Sequence, residues 1–100
     1  MNFGLPEHIL QAITSVLQKR ENVTRALIFG SRARGDFKYN SDIDIAVYAD
    51  GGLPPGLYLD LDEAAGIYKI DLVDMNSLHN EKLRQRIEQQ GVEIYVRRQV

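Results

Sequence analysis

Two short stretches of this chain carry residue types that could do chemistry together. One is Gly30-Ser31, which ends the apolar run Ala26-Leu27-Ile28-Phe29. The other, ten residues beyond, is Asp42-Ile43-Asp44, leading into a second apolar run from Ile43 to Tyr48. A strand's side-chain period of two puts Asp42 and Asp44 on one face, with Ile43 and Ile45 on the other. Their backbones then lie roughly 6.5–7 Å apart, near enough for both carboxylates to reach one divalent cation. Without a cation the two charges repel, and each carries a desolvation cost of several kcal/mol. Mg²⁺ relieves both, since it takes carboxylate oxygens, keeps some water and shares its remaining positions with phosphate oxygens.

Gly30-Ser31 supplies the complementary half. Glycine lets backbone N–H groups approach an anion closely, and the start of a helix adds unpaired donors and a favourable dipole. The Ser31 hydroxyl can donate, while Arg32 and Arg34 bring the positive charge that a triphosphate requires. The chemistry implied is metal-assisted transfer of a phosphate-bearing group from a nucleotide. Two other phosphate loops are excluded. Gly30 and Gly35 have P-loop spacing, but Asp36-Phe37 stands where Lys and Ser or Thr would be needed. The G-x-G-x-x-G of a dinucleotide fold is absent after Phe29.

The segment GSRARGDFKYNSDIDIAV resembles the Gly-Ser and Asp-x-Asp signature of the polymerase-β-like nucleotidyltransferases. Within that superfamily the chain is most similar to the minimal nucleotidyltransferases, or MNT proteins. The likeness runs from a leading helix through this core to KIDLVDM and the closing GVEIYV. It implies an α/β fold of the α+β type, a small mixed sheet flanked by helices. It also implies an antitoxin, commonly encoded beside a HEPN-domain ribonuclease toxin, that transfers AMP from ATP to that toxin.

The elements that must position these residues follow in chain order. One hundred residues suit a single domain spanning 1–100, with room for one core. A composition 44% hydrophobic and 26% charged is ordinary for a globular protein. A net charge of −2 argues against a broad duplex nucleic-acid footprint. There is no cysteine, no apolar run approaching about 18 residues and no basic flank at the start, which together suggest a cytoplasmic protein. Leu5 to Arg20 is expected to be an amphipathic helix with Ile9, Ile13, Val16 and Leu17 as its apolar stripe. His8 and His79 stand alone and suggest no zinc site. Asp50 to Gly56 is a breaker-rich surface loop. Leu57 to Tyr68 has helical spacing, with Asp60, Asp62 and Glu63 on a solvated side and Gly66 at its fraying end.

Lys69 to Met75 is a third strand that again carries acids in an apolar run. Period two sends Asp71 and Asp74 to opposite faces, so only one can join Asp42 and Asp44, and the residues alone leave both open. The family resemblance places the third acid at Asp71. Ser77 is expected to cap a helix over Leu78 to Gln90, closed by Gly91, with a narrow stripe of Leu78, Leu83 and Ile87. Its Lys82, Arg84 and Arg86 suggest a solvated face. Val92 to Val96 alternates as a final strand, followed by an exposed Arg97-Arg98.

The mechanism expected from these parts needs neither histidine nor cysteine. Gly30, Ser31, Arg32 and Arg34 hold the triphosphate, while Asp42 and Asp44 bind one Mg²⁺ and share a second with Asp71. Two ions about 3.5–4 Å apart would clamp the attacking and leaving oxygens of an in-line displacement. The resemblance further suggests Asp71 as acceptor of the attacking hydroxyl's proton. A chain this short has no evident lobe for a template, tRNA or antibiotic, so a partner or a second copy should complete the site. The resemblance makes a HEPN toxin the leading partner, with a tyrosine hydroxyl as the acceptor. A small-molecule nucleotidyltransferase with a separate substrate subunit, and a catalytically silent steric antitoxin, are the alternatives.

Overall fold

Ile9, Ile13 and Leu17 lie along one side of a helix, and all three are buried in the computed structural model, which describes residues 2–98. This helix, α1 (Glu7–Gln18), begins after Pro6, with Glu7 in the first turn at the positive end of the dipole. Among the described residues four strands form one sheet in the order β3-β2-β1-β4. They are β1 (Val23–Phe29), β2 (Ile43–Ala49), β3 (Ile70–Asp74) and β4 (Val92–Val96). The strand β1 runs antiparallel to both β2 and β4, whereas β2 and β3 are parallel. Parallel neighbours need a crossover, and α3 (Leu57–Ala64) supplies it. The sheet is therefore mixed, as expected.

Alternation along the strands separates two faces. Ala26, Ile28, Ile43, Ile45 and Val47 pack with α1 and with Leu57, Leu61 and Ala65 in the larger core. Leu27 and Ala46 face the other way and meet Met75 and Ile87, the latter from α4 (Glu81–Gln90). The stripe on α4 is narrow, with Leu83 only half-buried beside Ile87, and Leu78, ahead of the helix, is half-buried against the same patch. That second face carries Asp44 and Asp71 at the end of the strands, and they remain accessible there.

Three local expectations are corrected. The third helix stops at Ala64 rather than Tyr68, because Gly66 turns left-handed at φ 62° and sends the chain toward β3. The cap of α4 is Asn80, not Ser77: its side chain accepts from the Leu83 N–H at 3.1 Å, so the helix starts at Glu81. Gly91 does follow α4, but at φ −66° and ψ 146° it is extended rather than left-handed. Its lack of a Cβ matters for space, since one would stand 2.5 Å from the Ile87 carbonyl oxygen. In a urea titration Asn80→Ala should cost about 1 kcal/mol, while Ser77→Ala should stay within about 0.5 kcal/mol.

Candidate active site

Gly30 ends β1 with φ 73° and ψ −152°, a conformation essentially reserved for glycine. The bend leads straight into α2 (Ser31–Arg34), a single turn closed by the Arg34 N–H on the Gly30 carbonyl and ended by Gly35 at φ 94°. At such a start the first N–H groups have no intrahelical partner, which leaves Ser31 and its neighbours as donors. The bend lies against the acidic strand: a Cβ on Gly30 would run into Oδ2 of Asp44. Glycine is what allows this turn and that carboxylate to touch.

Asp44 sits in β2, opposite Phe29 of β1 on one side and Asp71 of β3 on the other. Its carboxyl group is pushed up to about 6, first by burial, then by the charges of Asp71 and Asp42 and a hydrogen bond with Asp71. Arg34 opposes that rise. The structure thus brings Asp42, Asp44 and Asp71 to one place. Asp74 is elsewhere: its Oδ1 accepts from the Asn76 N–H at 3.0 Å and holds the turn that follows β3.

Among the described residues no three carboxylate, imidazole or thiol groups close into a ready-made metal cage. The donor set nevertheless fits Mg²⁺, which is held by one or two carboxylates together with phosphate and water oxygens. A half-buried Asp44 between two like charges is the group that gains most from a cation.

The two arginines part company. Arg34 is exposed, its Nε 3.3 Å from Oδ2 of Asp36, and it is free to turn toward an anion beside Ser31. Arg32, expected on the triphosphate, is only 1% exposed. Its guanidinium donates to the carbonyls of Phe3 (3.0 Å), Tyr39 (3.3 Å) and Ser41 (2.9 and 3.1 Å). It also lies over the rings of Phe37 and Tyr68, 5.2 Å from each centroid. Those donors are spent on the protein interior, so the phosphate role assigned to Arg32 does not survive. Helical geometry explains the split: residues two apart on one turn point about 200° from each other around the axis, so one faces inward and the other outward.

A hollow of about 280 Å³ adjoins Asp42 and was not anticipated. Tyr39 and Ile67, 88% and 95% exposed, flank it with Tyr68 and Lys69. They come from two separate connections, and no spacing in the sequence links them. A larger groove of about 660 Å³ lies between α1 and α3, remote from the three acids, where Arg20 is paired with Asp60.

Comparison with known proteins gives this fold and site their class. The family described as polymerase beta, nucleotidyltransferase matches residues 11–100, and the chain belongs to it: the protein is a nucleotidyltransferase. Among its relatives is the Methanocaldococcus jannaschii protein named "Putative protein adenylyltransferase MJ1379". The two are 34% identical over 89 residues, covering 83% of this chain and 88% of the relative. A crystal structure of a toxin–antitoxin complex with AMP-PNP aligns with a TM-score of 0.75 at 30% identity, covering 89% of this chain and 74% of that one. A complex of tri-AMPylated Shewanella oneidensis HEPN toxin with MNT antitoxin aligns at 0.68 and 26% identity, covering 89% and 71%. The fold is thus that of the MNT-type antitoxins. Among the described residues no helix is long and apolar enough to cross a membrane.

Proposed function

We propose that this protein is the antitoxin of a toxin–antitoxin pair and transfers AMP from ATP to a tyrosine hydroxyl of a HEPN ribonuclease partner. The observation that carries this is the half-buried Asp44, in contact with the Gly30 bend on one side and Asp71 on the other. Gly30 and Ser31 cradle the triphosphate, and Arg34 swings from Asp36 to neutralise it. Asp42 and Asp44 would hold Mg²⁺ with the nucleotide, and Asp71 would share in a second site. Bound there, Mg²⁺ would supply charge neutralisation for the phosphoryl group being transferred. Asp71, exposed on the sheet's edge strand, takes the proton of the incoming hydroxyl. The acceptor oxygen bonds to the α-phosphorus as the bond to the β-phosphate oxygen breaks, and pyrophosphate leaves. Positioning and charge neutralisation supply most of the rate. The partner supplies the acceptor hydroxyl, and the reaction runs in the cytoplasm, where ATP is supplied.

The test is co-expression with the neighbouring gene's product and ATP labelled at the α-phosphate. Label should appear on the partner with Mg²⁺ present and be lost with EDTA, Asp42→Ala or Asp44→Ala. Label on a small molecule instead would point to the second class of nucleotidyltransferase. Full neutralisation of the toxin by the Asp42/Asp44 double alanine variant would leave only a steric antitoxin.

A further inference from the structure

Residues 30–42 connect β1 to β2, and both halves of the site stand on this connection. Its start is the Gly30-Ser31 turn, and its end is Asp42. Between these ends little regular structure follows α2, so something other than a backbone ladder must fix one half relative to the other. The side chain that does so is Arg32. It leaves the chain one residue after Ser31 and donates to the carbonyl of Ser41, one residue before Asp42, through both Nε and Nη2. Nη2 also reaches the Tyr39 carbonyl, and Ser41 is pinned further by its Oγ accepting from the Lys38 N–H at 2.8 Å.

The guanidinium is itself held from two other parts of the chain. Nη1 donates to the Phe3 carbonyl at 3.0 Å, and Phe3 is buried with φ at 61°, unusual for a residue with a side chain. Tyr68, from the connection between α3 and β3, covers one side, and Phe37 lies against the guanidinium as well. No carboxylate pairs with Arg32 among the described residues. Its charge is met by carbonyl dipoles and ring faces alone. A planar fork with five fixed donors can bind three carbonyls at once, and a lysine cannot copy that arrangement.

We infer that Arg32 is a positioning residue that sets Asp42, through the Ser41 and Tyr39 carbonyls, at its working distance from the Gly30-Ser31 turn. Arg32 touches neither nucleotide nor metal. Losing it frees the metal side of the site to drift, while the phosphate side, built from Gly30, Ser31 and Arg34, keeps its shape. This role rests on the Mg²⁺–nucleotide assignment of the site.

Arg32→Lys keeps the charge but not the fork, and titration calorimetry on the full chain separates the possibilities. ATP affinity is measured in EDTA and again across a Mg²⁺ series. The Mg²⁺ concentration for half-maximal enhancement should rise tenfold or more, with metal-free ATP affinity within twofold of wild type. The same split in transfer kinetics would show as a larger effect on the Mg²⁺ requirement than on KM for ATP. A parallel fall in metal-free affinity would overturn the inference and make Arg32 a direct phosphate ligand. Wild-type Mg²⁺ dependence in a folded Arg32→Lys protein would overturn it too. Should that variant not fold, Phe37→Leu removes one ring beside the guanidinium and should show the same split, about threefold or more. Wild-type behaviour of Phe37→Leu would then overturn the inference. Wild-type protein lacking any Mg²⁺-enhanced ATP binding would instead bring down the assignment of the site, a result distinct from all of these.

Discussion

Asp44→Asn is expected to abolish nucleotidyl transfer and, with metal removed, to make the protein more stable at neutral pH. Both effects come from one carboxylate. In the folded chain Asp44 titrates at about 6, against 3.8 for the free group, chiefly because burial and the charges of Asp71 and Asp42 penalise its ionised form. Between those values the folded state holds a proton that the unfolded chain has lost, so folding is favoured by acid. Above about 6 both states are ionised, and the folded one carries the full penalty. The metal-free wild type should therefore lose stability as pH rises through about 6. Asparagine never ionises and escapes that loss. Allowing for solvent screening of a half-exposed group, the gain is about 1 kcal/mol at pH 8 and vanishes near pH 4. Urea titrations in EDTA at the two pH values measure it. Adding Mg²⁺ and ATP should stabilise wild type but not the variant, by mass action on the folded state. Transfer should fall roughly a thousandfold or more, since a group aimed at developing charge is worth about that much. Equal stability of the two proteins at pH 8 in EDTA would refute the unfavourable charge at Asp44.

Gly30→Ala should be the most damaging small substitution in the chain. Its backbone angles lie where only glycine is comfortable, at a cost of about 1–3 kcal/mol for any other residue. The new methyl group would also run into the Asp44 carboxylate. Either β1 shifts or Asp44 turns away, and both separate the phosphate turn from the acids. Transfer should fall roughly a hundredfold or more, as expected for a displacement near 1 Å between reacting groups. Gly35→Ala is the control. It too has a positive φ, 94°, but nothing lies within 4 Å of a Cβ there, so it should show only the backbone penalty. Single-turnover release of pyrophosphate, compared with thermal melting of each variant, separates chemistry from folding. Comparable rates for Gly30→Ala and Gly35→Ala would show that contact with Asp44 is not what requires glycine at position 30.

Much of this site could be read in the sequence because strand parity is so simple. Asp42, Asp44 and the apolar Ile43 between them needed only a period of two, and the Gly30 bend announced itself by ending an apolar run. Asp71 against Asp74 was harder. Parity separated them, but only pairing with β2 at Asp44 shows which one faces the site. Arg32 was misplaced for a different reason: next to a phosphate turn, charge suggests an anion, and its burial comes from Phe3 and Tyr68 in two distant segments, with Phe37 folding back from the same connection. The cap of α4 failed similarly. Ser77 and Asn80 are both good cap residues, and the choice falls to Asn80 because Met75 is buried and Leu78 is partly drawn into the second core patch.

The parallel pairing of β2 with β3 has a consequence for how activity is born. The Gly30 turn and Asp42 share a single β1–β2 connection, so they come together by local contacts. Asp71 reaches Asp44 only after the intervening crossover through α3 has closed. A chain still emerging from the ribosome can thus join the Gly30 turn to Asp42 early, while the proton acceptor proposed at Asp71 waits for the crossover to close and β4 docks on β1 later still.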